Sequence, residues 1–346
     1  MKGHHHTMQR TSARTAASLA GAALLAATAL AACGSSSAAT SSSGGGGSSS
    51  NVTLRVGDQE QRLQTLLQAS GESKGLGYKI SWADFASGPP MLQAVEAGSL
   101  DVGSVGDTPP IFAAAAGGPG ANIRIVGASR TVGGDTDTII VAKNSKIHSL
   151  AQLKGKKIAV TRGSSAQLAL LLALQKAGLT WKDITPVYLE PTDAQPAFAA
   201  GSVDAWVVWY PFVSVATANS GRVLASATDL DPGYSFLVSD TASTDNAATS
   251  KALGDFVHRV ALADHWALTH VAQWSKLFAG ISGLPSAEAT DTVEHNLAVA
   301  VPVDGAVAAA EQQAADGFAS AGLISRVDVA KVVDGQYDAQ LTAAGG

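Results

Sequence analysis

The sequence predicts an α/β protein built in two lobes, and three observations predict it. Segments of strand-like alternation and of helix-like period follow one another from residue 52 to residue 240. The chain has 346 residues, 46% of them hydrophobic and only 15% charged, which is ample for a core and long enough for two lobes. Two Pro-Pro turns, Ser87-Gly88-Pro89-Pro90 and Gly106-Asp107-Thr108-Pro109-Pro110, each stand between a strand-like run and a helical one. Strand, helix, strand, helix in this order implies a largely parallel sheet with crossover helices.

The N-terminus is a separate matter. Lys2, Arg10 and Arg14 precede an apolar run, Ala16–Ala32, that ends Leu30-Ala31-Ala32-Cys33. This is the layout of a signal peptide with a small-residue cleavage site, here spanning residues 1–32. The single Cys of the chain follows that site and resembles a bacterial lipobox, which implies cleavage before Cys33 and lipidation of its thiol. One Cys also excludes an internal disulfide and a Cys-cluster metal site. Residues 33–50 are almost wholly Ser, Gly, Ala and Thr and read as a flexible tether. A lipid anchor, a tether and then a globular part describe a protein held at a membrane and working outside it.

The first lobe is expected over 51–137. Val52–Gly57 alternates as a strand, and Asp58-Gln59-Glu60-Gln61 follows at its C-terminal end, where open α/β sheets place ligands. Arg62–Ala69 reads as a helix and Tyr78–Phe85 as the next strand. The two Pro-Pro turns then open two further helices around a short buried strand, Ser99–Ser104. Proline suits a first helical turn because its missing N–H has no intrahelical partner there. Gly88 and Gly106 let the backbone approach a ligand. Helix starts carry unpaired N–H groups and the positive end of the macrodipole, so both turns are candidates to hold a small anion. The bland alternative is two ordinary strand-to-helix loops.

The second lobe is expected over 138–237. Lys157–Thr161 is a strand, Arg162-Gly163-Ser164-Ser165 its turn, and Ala166–Ala177 a helix for which Ser164 or Ser165 is the N-cap. That makes a third helix start, with two hydroxyls. Val203–Val208 is a buried strand running into Trp209-Tyr210-Pro211. The remainder, 238–346, returns to the first lobe and is read as helical, with Trp266 and Trp274 as packing residues.

Function classes narrow by exclusion. A net charge of −5 argues against a nucleic-acid partner. No Gly-x-Ser-x-Gly elbow, no phosphate-binding Gly-x4-Gly-Lys-Ser/Thr loop and no His-Glu-x-x-His occurs, and His258, His265 and His270 are not spaced to form a helical metal pair. Asp135 and Asp137 read as solvated loop acids. These absences and the export signal favour binding over catalysis. The competing class is a secreted hydrolase with Ser164 or Ser165 as nucleophile, and it requires a base within reach of either hydroxyl.

Several ordered motifs carry a family resemblance over about Leu54–Val329. They include Phe85-x-x-Gly88-Pro89-x-Met91-Leu92, Gly98-x-Leu100-Asp101-Val102-Gly103 and Gly106-Asp107-x-Pro109-Pro110-Ile111-Phe112-Ala113. Later ones are Gly163-Ser164-Ser165 and Val203-Asp204-Ala205-Trp206-x-x-Trp209. The chain resembles the aliphatic sulfonate-binding proteins of ABC importers, within the nitrate/sulfonate/taurine-type family. The resemblance implies a two-lobed periplasmic-binding-protein fold of the second type, no catalysis and no cofactor. It also implies a monomer that hands its ligand to a permease driven by a separate ATPase.

On that reading the site comprises Gln59, Gly88, Pro89, Pro90, Met91, Asp107, Thr108, Ser164, Ser165, Trp206, Trp209 and Tyr210. A sulfonate is ionised at any physiological pH and offers three acceptor oxygens and no donor. Donors from Gly88–Met91, Thr108 and Ser164–Ser165 suit it, and Trp206 and Trp209 suit its tail. A buried lobe residue is the alternative for Trp206. Asp107 is expected to orient its loop. With no His assigned, binding is expected to be nearly flat between about pH 5.5 and 8. Tyr210 stands where the family usually has Asp, and Gln195 lies where it often has Arg. The Tyr predicts a preference for longer apolar tails over taurine, unless Asp58 supplies a compensating carboxylate. Nitrate, taurine and a thiamine-precursor pyrimidine remain alternative ligands.

Overall fold

A computed structural model describes residues 52–118, 121–134, 137–228 and 230–344. The expected signal peptide, Cys33, the tether and Asp135 lie outside these residues.

The first sheet has six strands in the order β11-β4-β10-β3-β1-β2. They are β1 (Thr53–Gln59), β2 (Lys79–Phe85), β3 (Val102–Gly106), β4 (Arg124–Thr131), β10 (Tyr234–Ser239) and β11 (Ala298–Val301). The second sheet runs β7-β6-β8-β5-β9, from β5 (Asp137–Ala142), β6 (Lys157–Val160), β7 (Thr185–Tyr188), β8 (Ala205–Trp209) and β9 (Gly221–Ser226). The chain crosses between sheets twice, after β4 and after β9.

The sheets are mixed rather than largely parallel. β1 pairs in parallel with β2 and β3, and β6 with β7 and β8. The strands at and after each crossing, β5, β9, β10 and β11, run antiparallel to their neighbours. A strand that enters from the other lobe has no crossover helix to fix its direction, which is why local alternation does not predict it.

Helices cover both sheets. They are α1 (Arg62–Ser70), α2 (Gly88–Glu96), α3 (Thr108–Gly117), α4 (Ser165–Lys176), α5 (Pro191–Ala199), α6 (Phe212–Asn219), α8 (Ala247–Thr269), α9 (Val271–Ser282), α10 (Ser286–His295), α11 (Gly305–Ser320) and α12 (Asp338–Ala344), of which α1 to α4 reach the site. A five-residue helix, α7 (Thr241–Asp245), leads into α8. The Ala-rich C-terminal part is therefore not all helix, since β11 interrupts it at the sheet edge.

Met91 shows how helix and sheet interlock. Its side chain is 0% exposed, and a Cβ placed on Gly57 or on Gly103 would lie 2.7 Å from it. Two neighbouring strands thus lack side chains where α2 inserts this thioether. Burying it contributes about 1.5–3 kcal/mol, and the contact fixes the height at which α2 begins over the sheet.

Candidate anion-binding cleft

The three helix starts converge. Gly88 at the first residue of α2, Asp107 and Pro109 at the start of α3, and Ser164 and Ser165 at the start of α4 line one cavity. Gln59, Trp209 and Tyr210 line it too. The walls come from both sheets, with Ser104 and Ser235 on one side and Asp137 and Trp209 on the other. Its volume is about 80 Å³. One water needs roughly 10–15 Å³ by the same measure, so the space suits a headgroup with a short tail.

Several expected contacts are not made. Pro89, Pro90 and Pro110 are absent from the cavity wall, and the prolines have no N–H to offer. Met91 and Thr108 are fully buried; the Thr108 hydroxyl donates to Asp107 at 2.7 Å. Trp206 is 1% exposed and packs between Phe198 and Phe212, with ring centroids 6.0 and 6.1 Å away. The two-residue period of β8 sends it into the second lobe's core, whereas Trp209, at the strand end, reaches the cleft. Ser164 occupies the N-cap position of α4 without capping it. Its hydroxyl donates instead to the Thr161 carbonyl at 2.8 Å, satisfying the turn after β6.

Ser165 donates to the carboxylate of Asp137 at 3.1 Å. Asp137 is buried, not solvated, and the carboxylate that the hydrolase reading asked for is therefore present. A carboxylate is nevertheless far too weak a base to activate a serine hydroxyl unaided. No histidine lines the cavity to relay the proton. Among the described residues no His, Cys, Asp and Glu group could hold a metal ion.

Sequence reading singled out none of Arg62, Ser104, Tyr234 and Asn296, and gave Glu60 only as part of the stretch after the first strand; all five line the cavity. Glu60 and Gln61 have φ of 49° and 54°, the left-handed region. Each such residue costs about 1–2 kcal/mol without glycine. This turn carries the chain from β1 into α1 and brings both Glu60 and Arg62 to the cleft. Asp58 fixes the turn from beneath: it is buried and accepts from the N–H groups of Gln59, Leu63 and Gln64 at 2.8, 3.0 and 2.8 Å. It occupies the start of α1 and is not free to meet a ligand's cation.

Arg62 is the cation of this wall and forms none of the ion pairs found among the described residues. Two acids of the cavity wall, Asp107 and Glu60, are shifted toward the neutral form. Burial pushes the Asp107 carboxyl well up, and the neighbouring carboxyls of Asp231, Glu311 and Asp137 push it further. Glu311 is raised in the same way, by burial and then by Asp231. Burial raises Glu60 to about 8, although Arg62 opposes the rise. A carboxyl shifted toward its neutral form repels an anion less, and Arg62 is the cation on the same wall.

Glu60 adds a response above the range of about pH 5.5 to 8 over which binding is expected to be nearly flat. Glu60 is protonated below its value of about 8 and gains a negative charge above it. An anion stabilises the protonated form, so its affinity is level up to about pH 7 and falls above pH 8, by at most tenfold per pH unit. Titrations at pH 6, 7, 8 and 9 are expected to show this fall in the parent and not in Glu60→Gln. A fall of equal size in Glu60→Gln refutes the assignment.

Two mixed sheets joined by two crossings, with a ligand-sized cavity between them, define a two-lobed binding protein of the periplasmic-binding-protein fold, second type. Known proteins agree. Residues 86–254 match the NMT1/THI5-like family model. The chain is 39% identical over 284 residues to a protein of Escherichia coli strain K12 named as an aliphatic sulfonates-binding protein, covering 80% of this chain and 86% of that one. A Bacillus subtilis strain 168 protein of the same name is 31% identical, with 75% and 78% covered. The structure of the alkanesulfonate-binding protein of Xanthomonas axonopodis pv. citri bound to MOPS superposes with a TM-score of 0.75 at 36% identity, covering 82% of this chain and 98% of that one. The chain belongs to the aliphatic sulfonates-binding protein family.

Proposed function

We propose that the protein captures a small organosulfonate in this cleft and delivers it to an ABC importer, anchored outside the membrane by a lipid on Cys33. One observation carries the ligand assignment. Three helix starts and Arg62 border one cavity, and two of its three acids, Asp107 and Glu60, are shifted toward the neutral form. A permanently ionised headgroup with three acceptor oxygens fits such a wall. Serine hydroxyls contribute less than expected, because both are already donating inside the protein. The names of the relatives support the sulfonate, and the importer follows from the family resemblance of the sequence. The lipid rests on the Leu-Ala-Ala-Cys pattern.

The test is calorimetric titration with 1-propanesulfonate, butyrate, nitrate and sulfate. Propanesulfonate is expected to bind at least tenfold more tightly than each of the others; preference for nitrate or sulfate overturns the assignment. For the anchor, Cys33→Ser is expected to release the protein from the membrane fraction or leave its signal uncleaved. Unchanged membrane association with an unchanged mature N-terminus removes the lipid from the account.

A further inference from the structure

A groove of about 120 Å³ runs between α4 of the second lobe and α11 of the first. At roughly 10–15 Å³ for a water-sized group, it has room for about eight to twelve of them. One wall is apolar and bulky, made by Leu168, Leu171 and Leu172 of α4. The facing wall is small. Ala310, Ala314 and Gly317 of α11 are spaced four and three apart and so share one helix face. A Cβ on Gly317 would lie 3.7 Å from Leu171, so a single methyl there would already reach the opposite wall. The space exists because α11 turns its smallest side chains to the leucines.

Two carboxyls enter this otherwise apolar groove. Glu311 of α11 is 2% exposed, and its Oε2 has no hydrogen-bond partner among the described residues. Asp231, in the segment that crosses back to the first lobe, lines the same groove and accepts from the Gly233 N–H at 2.9 Å. Neither acid belongs to an ion pair found among the described residues. The helices bring no cation to them. α11 carries no Lys or Arg, and α4 has only Lys176, its last residue, which is not on the groove wall. Nor does Glu311 serve its own helix as a cap, since Asp304 does that. A buried carboxyl oxygen without a donor is costly, and native structures keep few of them.

We propose that this groove is a second binding site, separate from the anion cleft, for a primary alkylammonium with a short branched apolar chain. The ammonium meets Glu311 and Asp231, and the chain lies between the α4 leucines and the α11 alanines. The ligand class follows from the walls. An ammonium offers three donors and no acceptor, which suits carboxyl oxygens alone. Its charge opposes that of both acids, whereas an anion meets repulsion from each. A neutral alcohol can donate to one oxygen but cannot offset the acids' effect on each other. Burial pushes the Glu311 carboxyl well up, and Asp231 pushes it further, so an arriving cation settles it in the charged form. The two walls belong to different lobes, and an occupant bridges them. Nothing in this site depends on which anion the cleft takes.

The test is calorimetric titration with 3-methylbutan-1-amine and with 3-methylbutan-1-ol, the same skeleton with a hydroxyl in place of the ammonium. Near neutral pH the amine is charged, since an alkylammonium loses its proton only at about 10.4. The parent is expected to bind the amine at least tenfold more tightly than the alcohol. Glu311→Gln keeps the size and removes the charge, and is expected to reduce that ratio at least tenfold. Ala314→Leu fills the groove without touching the acids, and is expected to weaken the amine at least tenfold. The comparison on the parent stands by itself where a variant folds poorly. Equal affinities in the parent, no binding of the amine, or amine binding unmoved in either folded variant overturns the site.

Discussion

Arg62→Glu is expected to abolish sulfonate binding, and Arg62→Gln to weaken it by one to two orders of magnitude. A hydrogen bond to a charged group contributes about 1.5–3 kcal/mol, which is a factor of roughly 10–150. Charge reversal adds repulsion. At 4 Å and an effective dielectric near 20, two unit charges interact by about 4 kcal/mol, enough to exceed the measurable range of an ordinary titration. Arg62→Lys should fall between parent and Gln, because a point charge replaces a planar fork. Stability is the control. Arg62 takes no part in any ion pair among the described residues, so its loss should leave the unliganded melting temperature within a few degrees. Parent-like affinity in a folded Arg62→Glu places the anion away from α1 and refutes the site as drawn.

This residue also shows where sequence reading stops. Strand ends and helix starts were legible because their signals are local. Tyr234–Ser239 alternates and forms β10 over those residues, and the paired prolines mark the openings of α2 and α3. Turn chemistry pointed to the first two helix starts as anion sites, and the family resemblance added the third. Arg62 was not legible, because its destination depends on two non-glycine residues in the left-handed region, which no local preference predicts. The direction of the Ser164 hydroxyl was equally invisible, since a carbonyl in its own turn outcompeted both helix and ligand. β11 was missed because Ala298–Val301 sits among Ala-rich helices and pairs only with β4 at an edge.

Gly106→Val is expected to raise the dissociation constant by at least about a hundredfold, near 2.7 kcal/mol at 1.36 kcal/mol per decade, while leaving the fold in place. Gly106 ends β3 in the first lobe, and Ser165 begins α4 in the second. A Cβ on Gly106 would lie 3.1 Å from both Cβ and Oγ of Ser165. This is the width of the cleft at its anion end, and only a glycine leaves the backbone open there. Alanine brings one carbon into tight contact, which a shift of a few tenths of an ångström relieves, so Gly106→Ala should cost much less. Valine adds two methyls that cannot both turn away, and the lobes must then stand apart or the ligand's oxygens lose their place. The backbone itself does not object. The φ of Gly106 is outside the left-handed region, and the residue pairs with Ser235 in a regular antiparallel register that a β-branched side chain favours. The readout is the ligand-induced rise in melting temperature. A ligand at 100 times its dissociation constant stabilises by about 2.7 kcal/mol, so the same ligand concentration should move the parent clearly and Gly106→Val hardly at all. A full shift in the valine variant would mean that the lobes need not approach to this distance for binding, and that the anion lies elsewhere along the cleft.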